Sequence, residues 1–286
     1  MDMTRRKVMR RLIKIVLILL LCAAAAPFLL PFLWMIDATF RPPIEIFNIP
    51  PQIVQRGFAS FQSYSLENLE SAIFRFNILP AFINSVAFTT ASVLLTLLLC
   101  SMAAYAFAFL RFPFKRGLFL IVLATMMVPS TTLIVPLYRI MLYLGLVDNP
   151  LSLILPYAAA PFAVFMLRQY MIKIPISFVE SAKMEGANDF QIHFRIIIPL
   201  SMPGMAALSI IQFRAVWNDI MLPLILIRSD SLYTLPLRFQ AMDSNSYGVP
   251  YGALLATGFI SAAVPIIIFL FFQRRFIQSL AGGIKY

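Results

Sequence analysis

The chain has 286 residues, of which 61% are hydrophobic and 12% charged, with a formal net charge of +11. Soluble domains carry roughly 25% charged residues, so this composition excludes an ordinary water-soluble globule. Several windows hold the roughly 20 apolar residues that cross a bilayer, and they are apolar all round rather than along one stripe. The chain reads as an all-α integral membrane protein.

Six spans follow in chain order. The first covers about Leu12 to Ile36 and is interrupted by Pro27 and Pro31. The second, about Pro80 to Leu110, lies in a stretch with no charge between Arg75 and Arg111. The third runs from about Leu118 to Tyr143 and is broken by Pro129 and Pro136; the fourth covers about Leu151 to Ile172, the fifth Met205 to Ile227, and the sixth Tyr251 to Phe272. Prolines inside spans are tolerable because neighbouring helices can satisfy the freed carbonyls. The whole chain, 1–286, reads as a single membrane domain. It has a core of about 80–275, an N-terminal span 12–36, an outer segment 37–79 and a polar loop at about 175–203. The outer segment, rich in Pro, Phe and Gln, is expected to cap one mouth together with Ser229 to Pro250; neither is large enough for a core of its own.

Lysine and arginine collect in short loops on the cytoplasmic side. One set of span ends carries Arg5, Arg6, Lys7, Arg10, Arg11 and Lys14, then Arg111, Lys115 and Arg116, then Arg168, Lys173, Lys183 and Arg195, then Arg274, Arg275 and Lys285. The opposite ends carry Arg41, Arg56, Arg75, Arg139, Arg228 and Arg238. This places both termini and the 175–203 loop on the cytoplasmic side of a cell membrane, inner or cytoplasmic. The charges are dispersed along loop edges rather than gathered in one patch, which argues against a nucleic-acid partner. "CAAAAP" resembles a signal cleavage region, but the apolar run continues through "PFLLPFLWMI", as in a retained anchor.

Catalytic patterns are absent. There is no Cys-x-x-Cys, no His-Glu-x-x-His and no Gly-Lys dipeptide, so the chain has no Gly-x-x-x-x-Gly-Lys phosphate loop with which to hydrolyse ATP. Cys22 and Cys100 fall within spans and read as small packing residues. His193 has no partner at a diagnostic spacing and reads as a packed or solvated side chain rather than a base or ligand.

The loop is the informative stretch: "ESAKMEGANDFQIHFRIIIPL", residues 180–200. Ser177 and Glu180 form a Ser-x-x-Glu capping pattern, so a first helix is expected from near Phe178. Gly186 supplies a left-handed stop. Asn188 with Gln191 repeats the capping pattern, and Pro199 closes the second helix. Phe190, Phe194 and Ile197 then share one face. Either that face folds onto the chain's own spans, or it is a knob for a separate soluble subunit that offers a groove.

The motif resembles the coupling-loop signature of the membrane subunits of binding-protein-dependent ABC importers. That signature reads Glu-Ala-Ala, three residues, Gly, nine residues, Ile-x-Leu-Pro. Glu180, Ala182, Gly186, Ile196 and Pro199 match it, with Ser181 in place of Ala and Ile198 in place of Leu. "PLYRIMLYLGLVDNPLSLILPY", "VWNDIMLPLIL", "FFQRRF" and "LAGGIK" are similar to the carbohydrate branch, in particular to the second permease of maltose-type systems.

The resemblance implies a type I importer permease with six spans and a cytoplasmic two-helix coupling loop. It implies three kinds of partner besides lipid: a second permease, expected as a heterodimer; two ATPase subunits; and an extracytoplasmic solute-binding protein. ATP and Mg would then be bound by the ATPase subunits and no cofactor by this chain. Glu180 would contact the ATPase, Gly186 would permit the turn, and Ala182, Phe190, Phe194, Ile196 and Pro199 would fill the groove around it. Gly282 and Gly283 in the tail would touch the same partner.

The solute pathway is less legible. Gln212, Trp217, Asn218 and Asp219 in the fifth span are candidates to meet a sugar. Polar groups at membrane depth usually face a cavity or one another, and Arg214 with Asp219 reads better as a structural ion pair. The function implied is ATP-driven uptake of a sugar or oligosaccharide by alternating access. The alternatives are another polar solute, such as a glycerol phosphate or an anionic saccharide, or ion-coupled secondary transport. The last would need more intramembrane carboxylates than Asp219.

Overall fold

In the computed structural model, residues 2–46, 64–243 and 250–281 are described, and every element among them is helical. Three helices are long and apolar enough to cross a membrane, and up to six spans result if each of three bent helix pairs is one span. Residues 1–77 with 242–262 form one compact unit, and 78–241 with 263–286 form another.

In the first unit, α1 runs over Asp2–Thr39 as one helix. Pro27 and Pro31 lie inside it without breaking it, contrary to the expected interruption. Its spanning window buries none of its surface in the chain, and Cys22 is exposed on it. The last turn is closed from a distance: the Asn68 side-chain amide donates to the carbonyls of Arg41 at 2.7 Å, Thr39 at 3.1 Å and Ala38 at 3.3 Å. A helix C-terminus leaves such carbonyls unpaired, and here a buried asparagine takes them. Gly252 is required beside it, because a Cβ there would lie 1.9 Å from Asn68 Oδ1.

The second unit is organised around α2, Ile78–Phe109. It packs against α5 (Leu151–Ala158), α6 (Pro161–Met171) and α9 (Met202–Trp217). Its buried side includes Ser85, Thr89, Ser92, Thr96, Cys100, Ser101 and Ala104. Small side chains allow close helix approach in lipid, and these also donate across the interface. The expected fourth span is a broken helix, α5 and α6 meeting at 43°. Pro161 has no N–H to offer the Tyr157 carbonyl four residues back; the Thr96 hydroxyl, 2.8 Å away, can donate its one hydrogen to that carbonyl instead, with Ser92 O at 2.7 Å as the competing acceptor. Ser92 Oγ reaches Leu153 O at 3.4 Å, and Cys100 Sγ reaches Ala158 O at 3.4 Å. At its far end α2 is capped by Lys115, whose Nζ donates to Leu110 O at 2.8 Å, a cation where a helix C-terminus favours one.

Two expected spans are also broken. The third consists of α3 (Lys115–Thr125) and, after a 3-10 turn, α4 (Ile134–Tyr143), bent by 95° at Met126–Pro129. Pro129 lacks a donor and biases Val128 away from helical backbone. The fifth span is not continuous from Met205 to Ile227. Helix α9 stops at Trp217, and a turn at Asn218–Ile220 leads to α10, Met221–Leu226. The polar pair Asn218 and Asp219 causes the stop, because Asp219 Oδ1 accepts the Met221 N–H at 2.9 Å and opens the next helix. The sixth span lies in a longer helix, Tyr251–Ala281, which we label α12; α11 is Leu235–Asp243.

Replacing Thr96 with Val should leave the Tyr157 carbonyl without a donor. Interhelical hydrogen bonds in membranes are worth about 0.6 to 2 kcal/mol, so a loss of that order in unfolding free energy is expected in mixed micelles, with no loss for Thr90→Val on the same helix.

Candidate functional site

The 175–203 loop joins α6 to α9 and holds two helices. The first, α7, covers Ser177–Met184. It begins one residue earlier than expected, because Pro175 and Ile176 already turn helically: Phe178 N–H bonds Pro175 O, and Glu180 N–H bonds Ile176 O. The expected capping box at Ser177 and Glu180 is therefore not made; the N-cap is Ile176, with no side-chain cap. Gly186 does stop the helix, at φ +86°. Ala187 N–H bonds Ala182 O, and Gly186 N–H bonds Lys183 O, each at 3.0 Å, the paired closure that needs a left-handed residue.

The second helix, α8, spans Asp189–Leu200, with a π turn at His193–Ile197. Its capping box is complete: Asn188 Oδ1 accepts Gln191 N–H at 2.9 Å, and Gln191 Oε1 accepts Asn188 N–H at 3.0 Å. It meets α9 at 80°, so it runs across the direction of that span rather than along it. Pro199 is exposed and lies within the last turn rather than after it. The π turn lengthens the bonding to i→i+5, with Ile198 N–H on His193 O, just before the residue that has no N–H.

That π turn also corrects the expected face. Phe190 is 64% and Phe194 42% exposed, but Ile197 is fully buried. The loop has two sides. Its inner side, Val179, Ala182, Ile192 and Ile197, joins a core with Cys100, Ala104 and Tyr105 of α2, Leu167 and Met171 of α6, and Leu208 of α9. Ala182 and Ile196, grouped above with the partner-facing residues, belong on this side, Ile196 partly buried. The outer side shows Phe178, Glu180, Met184, Gly186, Phe190 and Phe194. The inner side thus folds onto the chain's own spans, the first of the two alternatives, while the outer side stays exposed.

Polar contacts pin the inner side. Tyr105 Oη donates to Asp189 Oδ1 at 2.9 Å, and Lys183 Nζ lies 3.0 Å from the same oxygen. The Lys183 bond, with that of Tyr105, holds the Asp189 carboxyl below its usual range despite some desolvation. His193 Nε2 lies 3.2 Å from Ser101 Oγ. Sequence reasoning missed Ser101, Tyr105 and Asp189, since nothing in spacing relates residues 84 or 92 positions apart.

The four pathway candidates do not converge. Trp217 is 1% exposed, stacked on Phe213 at 5.4 Å and edge-on to Phe82 at 6.2 Å, so its ring packs helices together. Gln212 is buried, whereas Asn218 is exposed and donates to Arg214 O at 3.1 Å. Asp219 accepts from the Tyr157 hydroxyl. The expected Arg214–Asp219 ion pair is not formed; ion pairs among the described residues join Arg41 to Asp37, Lys183 to Asp189 and Arg238 to Asp230. A cavity of about 20 Å³ beside Trp217 and Tyr157 counts Ser85, Thr89 and Thr234 among its lining residues; it has the size of a single water, which needs roughly 10–15 Å³. A larger apolar cleft of about 330 Å³ lies between Thr90, Leu94, Ser209, Phe213 and Ile268. Gln212, Asn218 and Asp219 line neither. Gly282 and Gly283 lie outside the described residues.

Residues 97–282, which contain the whole loop, match the family described as the binding-protein-dependent transport system inner membrane component. The chain belongs to this family. It is 36% identical over 261 residues to the arabinooligosaccharides transport system permease protein AraQ of Halalkalibacterium halodurans, covering 89% of this chain and 90% of that one. It is 30% identical over 276 residues to the lactose transport system permease protein LacG of Rhizobium radiobacter, covering 96% and 98%. Its fold is that of a bacterial ABC transporter involved in the import of the acidic polysaccharide alginate: the TM-score is 0.78 at 23% identity, over 92% of this chain and 96% of that one. The chain is thus a membrane permease component with the fold of an ABC importer.

Tyr105→Phe removes one donor from Asp189 and leaves Lys183 in place. Hydrogen bonds to charged groups contribute about 1.5–3 kcal/mol, and Asp189 is partly exposed, so a loss of unfolding free energy toward the lower end of that range is expected, read by thermal or denaturant unfolding. A Tyr105→Phe protein as stable as the parent would show that this contact holds nothing.

Proposed function

We propose that this chain is the membrane-spanning subunit of an ATP-driven importer that takes a sugar or oligosaccharide from an extracytoplasmic solute-binding protein and passes it inward by alternating access. The observation that carries the reading is the outer side of the loop. A helix pair joined by the Gly186 closure and the Asn188–Gln191 capping box, with its inner side filled by its own helices, presents Phe190, Phe194, Phe178 and Met184 around a glycine turn, with Glu180 exposed beside them. Apolar side chains on such a ridge bind a partner's groove by helix-in-groove packing. The partner is an ATPase subunit, present twice, which holds ATP and Mg; this chain is a transport subunit and holds neither. A second permease completes the pathway, and both termini and the loop face the cytoplasm.

The sugar class follows from the relatives, whose names include arabinooligosaccharides, lactose, diacetylchitobiose and trehalose systems. For the chemistry of transport the loop must move as one piece, because discretely packed interfaces transmit displacement better than soft ones. The inner core and the two capping motifs make it stiff. Closure of the ATPase pair then turns α6 and α9, which flank the loop, and α2, which seats it.

Purifying the tagged full-length chain from its own membranes should bring with it an ATPase bearing a Gly-x-x-x-x-Gly-Lys loop, and vesicles of the complex should take up solute only with ATP inside. Uptake by the chain alone on an ion gradient would sink the proposal. Gly186→Val forces a β-branched residue into left-handed backbone, a strain of roughly 1–2 kcal/mol or more; nothing lies within 4 Å of the added Cβ, so the strain is in the backbone alone. Uptake should fall to background while circular dichroism stays unchanged. Asn218→Ala tests the pathway: a raised half-saturation concentration with normal assembly is expected, and loss of assembly would assign Asn218 to the framework.

A further inference from the structure

His193 is a buried titratable group that the coupling scheme does not use. Its ring is 2% exposed, packed on Tyr105 at 5.2 Å and against Phe194 at 4.9 Å between ring centres. It sits in the first turn of the π segment, on the side of α8 that faces α2.

One neutral tautomer fits both contacts of the Ser101 hydroxyl. A serine hydroxyl has one hydrogen, and that of Ser101 is donated to Leu98 O at 3.0 Å. With that hydrogen on Leu98 O, Ser101 Oγ offers His193 a lone pair and the ring donates from Nε2, 3.2 Å away; the reverse arrangement would bury an Nδ1–H with no acceptor, the costlier choice. Nδ1 is then a bare lone pair, buried and without a hydrogen-bond partner. A proton added there would create an N–H with no acceptor and a charge in an apolar seat.

The surrounding groups offer no relief. From α8 itself, Asp189 is engaged by Tyr105 and Lys183, and Arg195 is exposed and of like charge. From α7, Lys183 carries the same sign and is held on Asp189. From α2, the Tyr105 hydroxyl is committed to Asp189, and the Cys100 thiol points at the carbonyls of Ala158 and Ala160. Burial is the one cause acting on the imidazole, and it pushes its pKa below the ordinary value.

We propose that His193 is the positioning residue of the coupling loop: only its neutral form holds α8 in register on α2, and its protonation opens the seat, making the transfer of motion sensitive to pH on the loop side of the membrane. The effect on transport rests on the importer reading, but the seat itself does not. The direction follows from linkage. With the seated form harder to protonate, the seat is at full strength above the ordinary imidazole value of about 6.5 and weakens as pH falls below it, about tenfold per unit until the seated form itself titrates.

The test uses the full-length chain in membranes and needs no solute. Ala182→Cys places a thiol in the seat, and Met184→Cys places one on the open side as the reference for intrinsic reactivity. The ratio of their labelling rates with an impermeant maleimide, read peptide by peptide, should rise up to about tenfold between pH 7.5 and pH 5.5, where histidine changes charge. His193→Gln keeps an N–H donor and cannot titrate, so its ratio should stay low and flat; Ser101→Ala should raise the ratio already at pH 7.5. A flat ratio with His193 present, or an undiminished rise in His193→Gln, overturns the proposal. Deuterium uptake over 177–200 in the unsubstituted chain, corrected for intrinsic pH dependence, decides the matter if His193→Gln fails to seat. Faster uptake at low pH confined to that segment is expected, and unchanged uptake overturns the proposal. Failure of these measurements leaves the importer reading standing, whereas absence of an ATPase partner removes that reading and leaves the seat.

Discussion

The structure of the second unit depends on how the two loop helices are seated against α2, α6 and α9. Four apolar side chains, Val179, Ala182, Ile192 and Ile197, are buried in that contact. Each fully buried aliphatic of valine or isoleucine size is worth about 1.5–3 kcal/mol, while an exposed pair such as Lys183–Asp189 contributes roughly 0–1 kcal/mol. Packing therefore holds the loop, and the polar contacts choose its register. A loop seated this way needs few charges.

The same division of labour recurs along α2. In lipid an unpaired backbone group is costly, and breaks in neighbouring helices create such groups. The hydroxyls and thiol at Ser92, Thr96 and Cys100, four residues apart on one face, meet the carbonyls near the α5–α6 break. In the first unit Asn68 does the equivalent at the end of α1. Side chains on one helix thus permit irregular backbone in another, and irregular backbone is where a permease can bend.

The two faces of the loop also explain why a single short motif need not be one surface. Ala182, Ile196 and Gly186 fall within the same short stretch, yet the first two serve the inside and the glycine serves the turn. Phe190 and Phe194 are the part that this packing leaves exposed. A substitution in this stretch would act on folding or on association according to its side, even between adjacent residues.

Much was legible in the sequence, for local reasons. Apolar windows of bilayer length mark spans whatever surrounds them, and glycine at 186 and the Asn188–Gln191 box act through backbone within four residues. Tertiary structure alone decided the rest. The α9 break at Asn218–Asp219 depends on which N–H an aspartate finds, the inward turn of Ile197 on a π bulge accommodated by the packing, and the polar contact of His193 on a serine 92 positions away. Hydrophobicity and capping are properties of neighbours in the chain; burial, register and protonation belong to neighbours in space.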